Sequence, residues 1–316
     1  MKYFLLHIII LFSLSGYGQN LELGHEEYFK EIIASEQKYA GNKLSFKANP
    51  NTGNYDVKYH RLEWNVNPAQ ASISGQVTTY FTASQDLDQV IFDLSQNMVV
   101  SKVSQRSADL NYSQNQNDEL IIELPSIITE NTLDSLTITY SGNPVSSGFG
   151  SFAIDRHGSN STPVLWTLSE PYGAKGWWPC KQDLIDKIDS IDVYVRHPSA
   201  FKAASNGLLI EEKNEGLDLI THWRHRYPIP AYLIAIAVTN YEVYKENSSL
   251  DFDIVNYVYP ENLATAQNAT RITPDIMELF NNLFEMYPFA KEKYGHAQFG
   301  WGGGMEHTTM TLSLIH

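Results

Sequence analysis

Alternation of apolar and polar residues through the middle of the chain predicts a series of β-strands. The clearest stretches, with one short apolar run at Val90–Leu94, are Tyr55–His60, Ile73–Phe81, Leu120–Leu124 and Leu136–Tyr140. Strand patterns return at Ile191–Val195, Leu217–Trp223 and Tyr232–Val238, whereas the Gly- and Ser-rich stretch 141–163 predicts a loop. Because turn residues and no helical pattern separate these strands, residues 50–245 are predicted to form a mainly β domain, an antiparallel sandwich or saddle.

A second region, residues 246–316, combines strands with helices. It opens with a predicted strand at Phe252–Tyr259 and a predicted helix at Glu261–Arg271. The next helix begins at Thr273, a suitable N-cap, and ends before Pro288. Its apolar residues recur at helical spacing and predict one buried face: Ile276, Leu279, Phe280, Leu283, Phe284 and Tyr287. A predicted strand at His296–Phe299 then leads into a run of glycines.

The first 18 residues have the pattern of a secretory signal peptide. Lys2 supplies the positive start, Phe4–Leu14 the apolar run, and Gly16 and Gly18 the small residues before a cut at Gln19. We therefore expect a secreted or periplasmic protein. Residues 19–49 form a leader in which Glu26–Tyr39 predicts one helix, and no other segment is long and apolar enough to predict a membrane span.

Composition and charge narrow the function classes. The chain has 316 residues, of which 43% are hydrophobic and 18% charged, as expected for a globular protein. Its net charge of −14 argues against a nucleic-acid partner, because phosphates are bound by Lys and Arg. The single cysteine, Cys180, excludes an internal disulfide framework and follows Trp-Trp-Pro, which favours a small buried residue over a nucleophile.

The candidate chemistry lies where three glycines precede a carboxylate. Gly302, Gly303 and Gly304 leave a backbone without side chains, along which a peptide can add as a strand. Glu306 follows Met305 and would lie beside one end of that peptide, where an ammonium group is its natural partner. The alternative is a flexible glycine turn before an ordinary strand.

Five stretches in the right order resemble the aminopeptidase N-like zinc metallopeptidases. Gly302–His307 is similar to their G-x-M-E-N signature, with His307 where Asn is usual. Glu170–Cys180 resembles their E-P-x-x-A-R-x-W-x-P-C-x-D stretch, with Lys175-Gly176 and Lys181-Gln182-Asp183 as local departures. The other matches are the opening strands (Tyr55–Leu94), a P-x-Y-L segment (Pro230–Leu233), and a Y-P-F followed by a K-Y-G pattern (Tyr287–Phe289, Lys293–Gly295).

The resemblance implies roles for six residues. It implies that Glu306 binds the free α-ammonium of a peptide substrate, that Gly302, Gly303, Gly304 and Met305 form the edge that pairs with the peptide backbone, and that Glu170 reaches the same ammonium. Two carboxylates that face one cation reject a chain-internal amide, which brings no charge to offset their burial. The alternative for Glu170 is a surface residue of a Ser-Glu-Pro turn. The role of His307 is open: it contacts the substrate, or it packs or forms hydrogen bonds within the protein.

The zinc site that the resemblance implies has no ligands in this sequence. The family holds zinc with H-E-x-x-H on a helix and a distal Glu, and this motif does not occur between Met1 and His316. His316 is a candidate first ligand only if the connecting segment is unusually short. His222 and His225 have helical spacing in a predicted strand, which does not favour a metal site. Neither metal ligands nor catalytic residues are therefore assigned within the chain, and zinc is expected from residues after His316.

The resemblance thus implies the N-terminal part of a secreted zinc aminopeptidase. In it, residues 246–316 begin a thermolysin-like catalytic domain of α+β type, and the substrates are peptides with a free amino terminus. The fragment would carry the binding site for the amino terminus and would be inactive by itself. The alternative function is a non-catalytic, secreted β-sandwich peptide-binding protein of the same fold that lacks the metal site.

Overall fold

The structure is a computed structural model that describes Lys30 and residues 48–144, 151–300 and 303–313. The predicted signal peptide, the predicted leader helix apart from Lys30, Gly302 and His316 lie outside the described residues. Contacts divide the chain into residues 1–46 and residues 47–316, and all elements below belong to the second unit. Among the described residues, no helix has the length and apolar character needed to cross a membrane.

Strands dominate the second unit, which confirms the predicted mainly β fold. The first ten are β1 (Tyr55–Val66), β2 (Ile73–Ala83), β3 (Leu87–Asp93), β4 (Met98–Gln105), β5 (Ala108–Asp109), β6 (Tyr112–Gln114), β7 (Glu119–Ile128), β8 (Leu133–Gly142), β9 (Ser151–His157) and β10 (Thr162–Leu168). The others are β11 (Ser190–Pro198), β12 (Lys202–Ser205), β13 (Leu208–Glu215), β14 (Asp218–His225), β15 (Ile236–Thr239), β16 (Glu242–Lys245), β17 (Asp253–Val258), β18 (Lys293–Gln298), β19 (Gly304–Met305) and β20 (Thr311–Ser313). The two helices are α1 (Leu263–Thr270) and α2 (Thr273–Leu283).

The largest sheet has eight strands in the order β13-β14-β11-β1-β2-β8-β4-β5. All of its pairs are antiparallel except β1 with β11, which run parallel from Tyr59 opposite Ser190 to Asn65 opposite Arg196. This parallel pair joins an N-terminal half of the sheet to a half built from β11, β13 and β14.

Alternation along β1 shows why the pattern predicted this sheet. Leu62, Trp64 and Val66 are buried in the main core, while the polar residues between them lie on the opposite face. The core also contains three further fully buried tryptophans, Trp177, Trp178 and Trp223. Cys180 is fully buried beside them, as predicted for a small core residue.

Three smaller sheets complete the fold. Strands β3, β7 and β6 form one, and the order β12-β15-β10-β9 forms another. The third, with the order β16-β17-β18-β20-β19, holds the strands of the second predicted region. Its β17, β18 and β20 run parallel, with α1 and α2 in the crossover between β17 and β18. The main core continues into this sheet through Tyr257, Phe299, Met305 and Leu312, so the predicted boundary at residue 245 stays a prediction.

The prediction of a buried face on the second helix is wrong for the described residues. Helix α2 buries Thr273 and Met277, and Met277 packs in a small cluster with Phe252 and Ile254. The apolar stripe points elsewhere, with Leu279 52%, Leu283 64% and Phe284 75% exposed. Thr273 and Met277 are four residues apart and share the buried face, whereas Ile276, Leu279 and Leu283 lie together on another side of the helix, which is exposed.

Two local predictions are also wrong. The stretch 141–163, predicted as a loop, contains the whole of β9, which pairs with β10 from Ser151 opposite Leu168 to His157 opposite Thr162. The Gly and Ser residues around β9 favour a loop, but hydrogen bonds to β10 stabilise the strand. The predicted strand Tyr232–Val238 begins later, because Ala231–Leu233 form a 3-10 turn and β15 starts at Ile236.

Candidate functional site

The glycine-rich signature lies at the edge of the five-stranded sheet. After β18 the chain returns as the short strand β19, which pairs antiparallel with β20 through Gly304 opposite Ser313 and Met305 opposite Leu312. Because β19 is the last strand in the sheet order, its other side has no strand partner among the described residues. An edge strand of this kind presents backbone N–H and C=O groups that can pair with an added peptide.

Side chains along this edge divide between the core and the solvent. Met305 is 2% exposed and packs in the main core, so it anchors the edge. Gly303 is half-buried, Gly304 is exposed, and Gly302 lies outside the described residues. Glu306 is exposed, and no described residue gives it a hydrogen bond or an ion pair. Its carboxylate is therefore available to a cation that approaches the edge.

The pKa of Tyr232 responds to both of the predicted site carboxylates, Glu306 and Glu170. Burial raises the pKa of the half-buried Tyr232 phenol above its usual value, and the negative charges of Glu306 and then Glu170 raise it further. Since the charges of both carboxylates act on one phenol, the fold brings the two glutamates into the same region of the structure. Glu170 comes from the turn after β10, where the Glu170–Pro171 peptide bond is cis, whereas Glu306 follows the edge strand.

Tyr232 was not among the residues assigned a site role from sequence. The signal that could have found it is the Pro230–Leu233 tetrapeptide, which was noted only as a match in order along the chain. In the structure this tetrapeptide forms the 3-10 turn before β15, and that turn places Tyr232 near both glutamates.

His307 is buried immediately after the exposed Glu306. It is 1% exposed, and neither ring nitrogen has a hydrogen-bond partner among the described residues. Burial lowers the pKa of His307 to about 3, so the imidazole is neutral at pH 7. The packing role is the one that the described residues support, and the ring contributes no positive charge beside Glu306.

A buried asparagine links the segment after Glu306 to the turn that holds Tyr232. Asn206 Nδ2 donates to the carbonyl oxygens of Thr308 at 2.7 Å and Leu233 at 2.9 Å. Its Oδ1 accepts from the N–H of Ala235 at 2.9 Å. Asn206 is fully buried, so these three bonds fix the spacing between the two segments that carry Glu306 and Tyr232.

The described residues do not form a zinc site. Nowhere in residues 48–144, 151–300 and 303–313 do three His, Cys, Asp or Glu side chains meet in a group that could hold a metal ion. His222 and His225 face opposite sides of β14, where they pair with Asp192 and Glu292 respectively. We therefore derive no chemical step through a metal from these residues.

Comparison with known proteins identifies relatives of this arrangement. Residues 52–233, more than half of the chain, match the peptidase M1 N-terminal domain. Glutamyl aminopeptidase from Sus scrofa is 31% identical over 144 residues, and that from Homo sapiens is 29% identical over 144 residues. Each alignment covers 44% of this chain but only 15% of the relative.

Solved structures share the fold. An M1 zinc metallopeptidase from Deinococcus radiodurans, solved as a mutant bound to a Tyr-Ser-Ala substrate, has a TM-score of 0.69 and 20% identity. The likeness covers 83% of this chain and 61% of that one, so the chain spans only part of its relatives. The family match over residues 52–233 and the agreement in fold confirm the resemblance noted in the sequence, and we conclude that the chain belongs to the peptidase M1 family.

Proposed function

We propose that this chain is the N-terminal part of an exported zinc aminopeptidase, and that it binds the free amino terminus of a peptide substrate. Glu306 and Glu170 are the groups that bind the α-ammonium. The backbone at Gly302–Met305 is the edge along which the first residues of the peptide lie.

One observation carries this proposal: the negative charges of two glutamates from distant parts of the chain act on the same half-buried phenol, and one of these glutamates directly follows a sheet edge that has no strand partner among the described residues. An α-ammonium offers three N–H donors and one positive charge, which suits two carboxylates and the Tyr232 hydroxyl. A chain-internal amide offers neither, so the site selects amino termini.

Hydrolysis itself is assigned to residues outside the described part of the chain. The relatives include zinc metallopeptidases, and the described residues hold no ligand set for zinc. The contribution of this chain is to place the peptide: the ammonium at Glu306 and Glu170, and the backbone along β19. Holding a substrate in this way lowers the entropic cost of reaction at a site elsewhere in the same protein.

Glu306→Gln in the complete protein tests this proposal. The change keeps the shape and removes the negative charge, so a charged hydrogen bond worth about 1.5–3 kcal/mol is lost. We expect kcat/KM for an aminoacyl anilide with a free amino group to fall about 10- to 100-fold. Glu170→Gln should act in the same direction. N-acetylated substrate should be cleaved poorly by the wild type, and the variant should narrow the gap between the two substrates.

Glu242→Gln is the matched control, because Glu242 is exposed on β16 at the opposite edge of the same sheet. It should leave both substrates unaffected, and zinc content should be unchanged in every variant. A Glu306→Gln protein that retained the full preference for free amino groups would show that the edge does not bind the amino terminus.

A further inference from the structure

We propose that Lys293 is a positioning residue that sets the location of Glu306. It does so by donating a hydrogen bond to the backbone of the turn His307–Met310, which directly follows Glu306. This inference rests on the proposed function of Glu306 and adds a residue that does not touch the substrate. We call His307–Met310 the signature turn; it is closed by a hydrogen bond from the N–H of Met310 to the carbonyl oxygen of His307.

The Lys293 amino group is buried against this turn. Lys293 is 3% exposed, and its Nζ donates to the carbonyl oxygen of Thr309 at 3.0 Å and to that of Ser205 at 3.1 Å. It also lies 4.9 Å from the centre of the Trp223 ring. Burying an amino group is costly unless it is hydrogen-bonded, and these contacts offset that cost. The amino group thus joins the signature turn to β12 and β14.

Two residues after Lys293, Gly295 on β18 lets the signature turn pack closely against this strand. Residues i and i+2 of a strand share a face, so Gly295 lies beside Lys293 on the side of β18 that meets the turn. A Cβ at Gly295 would lie 2.9 Å from the Thr309 carbonyl oxygen and 3.0 Å from Met310 Sδ. The Lys293-Tyr294-Gly295 sequence is therefore built around the signature turn: one residue donates to it and the other lets it approach.

Thr309 has a strained backbone conformation within the signature turn. Its φ is +63°, in the left-handed region that β-branched residues rarely adopt. Such a conformation costs on the order of 1–3 kcal/mol and persists only where surrounding contacts impose it. Those contacts are the Lys293 donor on its carbonyl and the N–H of Gly207, which donates to Thr309 Oγ1 at 2.7 Å.

Position 207 can be occupied only by glycine. Its φ is +78°, and a Cβ there would lie 2.1 Å from the carbonyl oxygen of Arg224. With Ser205, the last residue of β12, and Asn206, Gly207 forms a continuous segment, Ser205–Gly207, of which each residue contacts either Lys293 or the signature turn. Asn206 also holds the turn before β15, so Ser205–Gly207 joins the segments of Glu306 and Tyr232.

Loss of the Lys293 donor should let the strained turn relax. Glu306 lies three residues before Thr309, so movement of the turn changes the distance between Glu306 and the groups around Tyr232. A misplacement of about 1 Å at a binding group can reduce the rate about 100-fold. The effect should fall on recognition of the amino terminus, because neither Lys293 nor the turn belongs to a group of possible metal ligands among the described residues.

The test is Lys293→Met in the complete protein, assayed with free and N-acetylated aminoacyl anilides. Methionine keeps the length of the side chain and removes the N–H donors. We expect kcat/KM for the free substrate to fall about 10- to 100-fold with unchanged zinc content, and the preference for free amino groups to shrink. Lys245→Met is the control, because Lys245 is 61% exposed and pairs only with Asp253 at the surface; it should change neither value.

Thr309→Val is a second variant for the case in which Lys293→Met does not fold. It keeps the β-branched shape and removes only the acceptor of the Gly207 N–H, so the preference should fall several-fold in a folded protein. The inference is overturned if the folded variants keep the wild-type preference while Glu306→Gln loses it. If Glu306→Gln also keeps the preference, the proposed function itself fails.

Discussion

Gly295→Ala adds one methyl group at the contact between β18 and the signature turn. The new Cβ would lie 2.9 Å from the Thr309 carbonyl oxygen, a backbone atom, and 3.0 Å from Met310 Sδ. Because a carbon and an oxygen cannot stay at this distance, the turn must move outward. Overpacking of a buried site costs about 1–3 kcal/mol. The lower entropy of the unfolded chain returns about 0.4–1 kcal/mol, which leaves a net loss of about 0–2.6 kcal/mol. We expect the middle of that range, about 1–2 kcal/mol, because one of the two contacts is to a backbone atom.

Thermal unfolding measures this loss directly. For a protein of this size 1 kcal/mol corresponds to about 2–4 °C, so the apparent Tm should fall by about 2–8 °C. Gly304→Ala is the matched control on β19, the edge strand of the same sheet. Its nearest contact would be the Leu312 carbonyl oxygen at 3.6 Å, an ordinary van der Waals distance, and its φ is not in the left-handed region. That variant should be as stable as the wild type or slightly more stable.

The reasoning is refuted if Gly295→Ala unfolds at or above the wild-type temperature, or if Gly304→Ala loses as much stability as Gly295→Ala. A second measurement connects this prediction to the site. Since Glu306 directly precedes the displaced turn, the preference for free over N-acetylated substrates should fall in Gly295→Ala at temperatures where it is still folded.

Two further predictions concern pH and processing. Burial lowers the pKa of His60 and of His307 from 6.5 to about 3, so below pH 6.5 the unfolded chain binds more protons than the folded chain. The free energy of unfolding should therefore fall as the pH drops from about 6.5 toward 3, by up to about 1.4 kcal/mol per pH unit for each histidine. His60→Gln should reduce that slope by about one proton in denaturant titrations at pH 7 and pH 5; an equal slope in the variant would contradict the assignment. Mass spectrometry of the exported protein should find a mature start at or within a few residues of Gln19, whereas an intact Met1 would contradict the predicted signal peptide.

Local patterns were sufficient to predict most of the strands. In β1, β2 and β8 one face is buried and the other is polar, so alternation of apolar and polar residues along the sequence predicts each strand and its buried face directly. The parallel pairing of β1 with β11 has no such signal, because it depends on two segments far apart in the chain. Helix α2 shows the converse case: its apolar stripe predicts a buried face, and the described residues leave that stripe exposed.

The candidate site was predicted only in part for the same reason. Glu306, Glu170 and the glycines were assigned through motifs, and their roles stay predictions. The structure adds where the described ones among them lie. Tyr232 entered the site only once the fold placed it near both glutamates. Lys293 was matched only as part of the K-Y-G pattern, which says nothing of its burial, because a lysine is expected at the surface. Its burial results from the packing of β12, β14 and the signature turn around it.

The parallel pair at the centre of the eight-stranded sheet constrains the order in which the protein can fold during synthesis. Tyr59 on β1 bonds to Asp192 on β11 across a separation of 133 residues. At about 5–20 residues per second, a ribosome needs on the order of 10 s to make the chain between them. Throughout that interval the N-terminal half of the sheet can form its antiparallel pairs, while β1 remains an open edge able to pair with other chains. The arrival of β11 closes that edge, and Arg61 then docks over the ring of Tyr194 at 4.0 Å on the outer face of the junction.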